Sequence, residues 1–173
     1  IFYSISNAQT GLKGISFGDS LIKRVVETLK ADFPQLKTFA TLSPIPGFRA
    51  WYRKNAARLL EELPDKHRRT LGRYIGFEPV TVEHIQTWLD QGPHPDAKCP
   101  GARWMLHCAS RYLGHELEQG RPFDPVARFH LGNGARVEHI HWLADPSAKG
   151  MQQSWGLMVN YLYDLKKLDR HRK

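Results

Sequence analysis

The block Ser43-Pro44-Ile45-Pro46-Gly47 constrains the fold of this chain more than any other. Two prolines within three residues remove two backbone donors and pin two φ angles, so a strand arriving through Leu36–Leu42 is expected to leave its sheet at Ser43 and turn sharply. A hydroxyl is thereby placed at the carboxyl end of a predicted strand, where open α/β sheets gather their ligand-binding groups. Ser followed by Pro is equally the sequence of a helix N-cap with proline at the first helical position.

A second constraint lies upstream. Ile1 to Ile5 is a short β-rich run, and Gly11, Gly14 and Gly18 follow within eight residues. Leu21, Ile22, Val25, Val26, Leu29 and Phe33 then recur at helical spacing, with Asp19 or Ser20 as the expected N-cap and Pro34 as the stop. A strand, a glycine-rich turn and a helix start make a natural anion site, because free N–H groups and the positive helix end point to one place. The spacing matches neither the Walker motif nor the dinucleotide fingerprint. Strand, helix and strand in that order imply a right-handed crossover between parallel strands, which would put the glycine turn and Ser43 on one rim of a sheet.

Beyond Gly47 the pattern changes. Phe48 to about Leu63, Val82 to Leu89 and Trp104 to Leu117 read as three inserted helices, separated by Pro64, Gly92-Pro93-His94-Pro95 and Cys99-Pro100-Gly101. The basic group Lys66-His67-Arg68-Arg69 reads as a solvated helix face. Val126 to Leu131 is expected to be extended and, through the Asn133-Gly134 turn, to form a hairpin with the alternating Arg136–Trp142. A last helix is expected near Ser147, covering Met151 to Trp155, and Leu157–Tyr163 returns to strand composition. No internal repeat is present.

Composition bounds what such a chain can be. Its 173 residues, 41% apolar, with five Trp and eight Phe, suit one globular domain with a sizeable core. Two cysteines, Cys99 and Cys108, are too few for a disulfide framework. No run of about 18 apolar residues exists, and the first residues read as a strand rather than a signal peptide. The chain does not start with Met, and it is expected to be a piece of a longer protein. A net charge of +8 asks for an anionic partner. The basic residues are dispersed rather than gathered with aromatics, which argues against a nucleic-acid surface. His139 and His141 share a strand face, but no third ligand accompanies them and no zinc spacing is present, so no metal is expected.

Several blocks together carry a family resemblance. They are Ser4-Ile5-Ser6, Gln9-Thr10-Gly11-Leu12-Lys13-Gly14-Ile15, Phe33-Pro34-Gln35-Leu36, Leu42-Ser43-Pro44-Ile45-Pro46-Gly47-Phe48, Pro125-Val126-Ala127-Arg128-Phe129-His130-Leu131-Gly132-Asn133-Gly134-Ala135 and Gly156-Leu157-Met158-Val159-Asn160-Tyr161. In this order they resemble the carboxy-terminal catalytic domain of the malonyl-CoA decarboxylases. The helical insertion, at about residues 48–120, matches less well. The resemblance implies an α/β (α+β) GNAT-like fold, a mixed sheet flanked by helices, with an upstream helical domain and first strands that this sequence lacks.

It also implies an enzyme, a carboxy-lyase that converts malonyl-CoA to acetyl-CoA and carbon dioxide without a metal or organic cofactor. When the carboxylate leaves, its bonding electrons pass to the thioester carbonyl, and the resulting enolate needs a hydrogen-bond donor and then a proton at carbon. The resemblance gives these roles to Ser43, as donor to the thioester or departing carboxylate, and to His130, as proton donor, with the reverse division left open. Ser43 lacks the Gly-x-Ser-x-Gly elbow of a hydrolase nucleophile. The segment Lys13, Gly14, Ile15, Ser16, Phe17, Gly18 and Asp19 matches the part of the family that contacts coenzyme A, with Lys23 and Arg24 able to add charge, and Tyr163 aligns with a tyrosine lining the acyl pocket. The expected partners are malonyl-CoA and acetyl-CoA, further copies of the chain and the upstream helical domain, with neither nucleic acid nor membrane. The expected compartment is the cytoplasm, or the mitochondrial matrix if a transit segment precedes the chain. Other readings of the same residues are a non-catalytic acyl-CoA-binding or regulatory module, another GNAT-like acyltransferase, or a basic nucleic-acid-binding module.

Overall fold

The computed structural model describes residues 1–2 and 17–163, and within the first helix it describes side chains from Leu21 onward. Along the chain the elements are α1 (Phe17–Asp32), β1 (Phe39–Ala40), β2 (Ser43–Pro44), α2 (Phe48–Glu62), α3 (Asp65–Ile75), α4 (Val82–Asp90), α5 (Pro100–His115), β3 (Leu117–Glu118), β4 (Arg121–Pro122), α6 (Pro125–Gly132), β5 (Ala135–His141), α7 (Ala148–Ser154) and β6 (Met158–Tyr163). The result is a mixed α/β chain with small sheets, divided into two compact units.

The first unit comprises Ile1–Ser43, Arg128–His139 and Val159–Lys173. Its core is built by the predicted helix periodicity. Ile22 and Val26 of α1 are buried against Phe39 and Tyr163, with Phe2, Leu29, Phe129 and Ala135 packed around them. Helix α1 begins at Phe17, so Asp19 and Ser20 lie inside its first turn and do not cap it. Strand β6 is the hub of the sheet, pairing with β1, β2 and β5. The β1–β6 pair is antiparallel, with Phe39 opposite Tyr163 and Ala40 opposite Leu162, and the Thr41 N–H donates to Tyr161 O at 3.0 Å in the same register. Phe2 bridges Thr41 in parallel, the direction that the strand–helix–strand order requires.

Proline chemistry acts one residue later than expected. The sheet does not end at Ser43, because Ser43 and Pro44 themselves form β2. That strand stands at the end of the order β1-β6-β2, where a missing N–H costs no ladder bond, and Pro44 is exposed. Ser43 is therefore not a helix cap either; the residue before α2 is Gly47.

The second unit comprises Pro44–Ala127 and Ile140–Met158. Phe48, Trp51, Tyr52, Tyr112 and Trp155 form its aromatic centre, with ring centroids 5.1–6.2 Å apart. The Trp104 indole N–H donates to the buried Tyr52 hydroxyl at 3.0 Å. Gly47 is obligatory in this packing, since a Cβ there would stand 2.5 Å from the Tyr112 hydroxyl. Four helices, not three, fill the insertion. Helix α3 escapes the periodicity argument because it buries only Leu71 and Gly72, and its basic residues are the solvated face the charge run suggested. Helix α5 starts at Pro100 rather than Trp104, because Cys99 caps it by accepting from Ala102 N and proline occupies the first turn. Gln119 and Gly120, both at positive φ, form the two-residue turn of the β3–β4 hairpin. Both cysteines are buried and free.

The largest departure concerns residues 126–131. They are helical, as part of α6, and the expected hairpin with 136–142 does not form. Local β-propensity loses to a complete N-terminal cap: the buried Asp124 carboxylate accepts from Val126 N at 3.0 Å and Ala127 N at 2.8 Å, with Pro125 at the first helical position. Asn133 and Gly134, expected to form a hairpin turn, instead end the helix, with N–H groups returning to Phe129 O, His130 O and Leu131 O and Gly134 at φ 82°. The Tyr112 hydroxyl donates to the same Asp124 carboxylate at 3.2 Å, and burial together with that carboxylate keeps the phenol protonated. Asp124→Ala is expected to lower stability by about 2 kcal/mol, because it removes a cap and strands a buried hydroxyl. Denaturant unfolding checks this, with no loss of stability as the contrary outcome.

Candidate active site

Period-2 alternation builds one wall of the site. Thr41 and Ser43 are both buried while Leu42 between them is not, and on β6 Tyr161 and Tyr163 are both buried while Asn160 and Leu162 are less so. Residues two apart on a strand share a face, so two hydroxyls and two phenols line this part of the first unit. The strands are tied at this point. Asn160 Nδ2 donates to Thr41 O at 2.6 Å, and Tyr161 N donates to Thr41 Oγ1 at 3.3 Å.

Helix α6 supplies the third side. Its last turn carries His130, whose ring stacks on Tyr161 with centroids 4.6 Å apart and planes at 24°. Nε2 lies 3.4 Å from Ser43 Oγ, across 87 residues of sequence. Nδ1 lies 2.7 Å from the Tyr163 hydroxyl, and the Ser43 hydroxyl donates to Thr41 Oγ1 at 2.8 Å. Four side chains thus form one line: Tyr163, His130, Ser43, Thr41.

Electrostatics set the state of the imidazole. Burial lowers the His130 pKa from 6.5 to about 4, since a charged ring would lose its hydration there. At pH 7 it is neutral, so one ring nitrogen carries a proton and the other accepts one. A neutral imidazole between two hydroxyl neighbours is chemically able to hold or pass on a proton. Ser43, on an edge strand, has no strand-to-helix elbow and donates its proton to a threonine, which is the arrangement of a hydrogen-bonding group and not of an activated nucleophile.

Of the residues singled out from the sequence, Ser43, His130 and Tyr163 come together directly. Lys13, Gly14, Ile15 and Ser16 lie outside the described residues. Phe17, Gly18 and Asp19 form the first turn of α1, where the macrodipole is positive. Thr41 and Tyr161 were missed. Their signal was present all the same, as hydroxyl-bearing residues two positions from Ser43 and Tyr163 on the same strand faces. Among the described residues no group of three or more His, Cys, Asp or Glu is placed to hold a metal ion, and no helix is long and apolar enough to cross a membrane.

Comparison with known proteins places the chain in a family. Residues 1–173 match the family model of the malonyl-CoA decarboxylase C-terminal domain. The chain is 39% identical over 180 residues to the mitochondrial malonyl-CoA decarboxylase of Mus musculus, covering 95% of this chain and 35% of that protein. It is 40% identical over the same length to the mitochondrial enzyme of Rattus norvegicus, again covering 95% of this chain and 35% of that protein. Among solved structures, the malonyl-CoA decarboxylase of Cupriavidus metallidurans superposes with a TM-score of 0.80 at 46% identity, over 97% of this chain and 42% of that one. The Rhodopseudomonas palustris malonyl-CoA decarboxylase gives 0.72 at 43% identity, over 97% of this chain and 36% of that one. The chain therefore spans about a third of the length of these curated relatives.

Proposed function

This chain belongs to the malonyl-CoA decarboxylase family, and on that premise we propose that the protein converts malonyl-CoA to acetyl-CoA and carbon dioxide at Ser43 and His130. The observation that supports this most is the meeting of a buried serine hydroxyl and a neutral imidazole 87 residues apart, with a tyrosine hydroxyl on the second ring nitrogen. The chemistry needs those parts. The bond between the malonyl α-carbon and its carboxylate breaks, carbon dioxide leaves, and the electron pair moves to the thioester oxygen. Without substrate the Ser43 proton points to Thr41 Oγ1, and with substrate bound it turns to the thioester oxygen, where that negative charge develops. His130 gives the Nε2 proton to the α-carbon.

A neutral imidazole that gave up its proton alone would become an imidazolate, which is too basic to persist. Tyr163 removes this difficulty, because its proton passes to Nδ1 over 2.7 Å as the Nε2 proton departs, and solvent then reprotonates the phenolate. Stacking on Tyr161 holds the ring in the plane that both transfers require. The segment Lys13 to Asp19, running into the first turn of α1, is assigned to the coenzyme A moiety by family resemblance and by the positive end of a sixteen-residue helix.

Incubating the full-length protein with malonyl-CoA while following carbon dioxide release and acetyl-CoA formation tests the reading. Turnover without added metal or organic cofactor is the expected result. Tight binding of malonyl-CoA with no carbon dioxide would overturn it in favour of a non-catalytic acyl-CoA-binding module.

A further inference from the structure

We infer that Thr41 is a positioning residue for this chemistry: by accepting the Ser43 proton it leaves Ser43 to accept from His130, which holds the imidazole in its Nε2–H form. The inference rests on the assignment of Ser43 and His130 to the reaction. A serine hydroxyl has one proton to give. In the structure it is given to Thr41 Oγ1 at 2.8 Å, so the remaining Ser43–His130 contact, at 3.4 Å, is made by Nε2–H donating to Oγ. Nδ1 is then bare and receives the Tyr163 hydroxyl at 2.7 Å. The direction of every bond in the line follows from where the Ser43 proton points.

Thr41 is suited to this task because it is held more firmly than the serine it orients. Its N–H bonds Tyr161 O, its carbonyl accepts from Asn160 Nδ2, and its hydroxyl oxygen accepts from Tyr161 N, so β6 grips it at three atoms. It is also almost wholly buried, so water does not compete for the Ser43 proton. Without the threonine oxygen the Ser43 proton turns to the nearest remaining acceptor, Nε2. The ring then carries its own proton on Nδ1, facing Tyr163, and the nitrogen aimed at the reacting carbon is empty.

Thr41→Val keeps the β-branched shape and removes the acceptor, whereas Thr41→Ser keeps the acceptor. In the full-length enzyme, Thr41→Val is expected to lower kcat about tenfold with KM unchanged, and Thr41→Ser to stay within about twofold of the parent, as the loss or retention of one oriented hydrogen bond predicts. Added to Ser43→Ala, Thr41→Val should cause no further loss, because it acts only through Ser43. Nitrogen chemical shifts of labelled His130 should report the Nε2–H form in the parent and a move toward Nδ1–H in Thr41→Val. A parental kcat in Thr41→Val beside a crippled Ser43→Ala overturns this inference alone, as does a further loss in the double variant or an Nδ1–H imidazole in the parent. A parental rate in Ser43→Ala instead overturns the assignment beneath it. Should Thr41→Val fail to fold, the tautomer of the parent decides the matter by itself.

Discussion

Replacing His130 with Asn is expected to slow decarboxylation by the full-length protein at least about a hundredfold, the usual scale for losing a positioned acid. Asparagine still fills much of the space and still offers an amide proton, but that amide neither gives a proton to carbon nor receives one from Tyr163. The loss should fall on kcat, since the role proposed for the ring is at the α-carbon and the ring carries no charge that would hold substrate at pH 7. Carbon dioxide release under saturating malonyl-CoA measures it, with circular dichroism to establish folding. A folded variant with a near-parental rate removes His130 from the mechanism.

The same substitution has a signature in stability. The unfolded chain protonates this histidine near pH 6.5, whereas the folded chain does so only at about pH 4 because burial penalises the charged ring. Between those values the unfolded state binds more protons, so the stabilising contribution is complete above about pH 6.5 and is lost as the pH falls toward 4. The parent should therefore weaken across that window by more than His130→Asn does. Equal pH slopes in the two proteins would contradict a buried, neutral His130.

Ser43→Ala is the second large effect expected, again at least about a hundredfold in kcat, the scale seen when one donor to a developing oxyanion is deleted. Its stability cost should be small by comparison, on the order of 1 kcal/mol, because the hydroxyl makes one bond to Thr41 and a long one to His130. The donor role also separates from a nucleophilic one. Mass spectrometry of the parent during turnover should find no acyl group on Ser43. A covalent acyl-serine, or a folded Ser43→Ala with parental rate, would refute the assignment.

Local signals made most of the second unit legible. The periodicity of Phe48–Leu63 and Val82–Leu89 returns as α2 and α4, and the helix expected near Ser147 is α7, which Ser147 caps by accepting from Gly150 N at 3.1 Å. These succeeded because a helix is specified by residues three and four apart and by its caps. Helix α6 failed on the same scale. Val126, Phe129 and Leu131 favour a strand, and the decisive cap, Asp124, owes part of its placement to Tyr112, twelve residues upstream. In the first unit the strand expected over Leu36–Leu42 shrinks to the two residues of β1, because pairing with β6, not composition, decides where a ladder exists.

Residue identity alone names the groups available: a serine ahead of two prolines, a histidine between Phe129 and Leu131, a tyrosine near the end of the last strand, and through the family blocks the chemistry they suit. How these groups meet was settled by packing. It placed His130 on a helix rather than a strand, brought its two nitrogens within reach of Ser43 and Tyr163, buried it so that it is neutral at pH 7, and put Thr41 where the Ser43 proton goes. The reason is one of range. Propensities and caps act over a few residues, whereas a contact across 87 residues and the dielectric around a ring are set by how strands and helices pack.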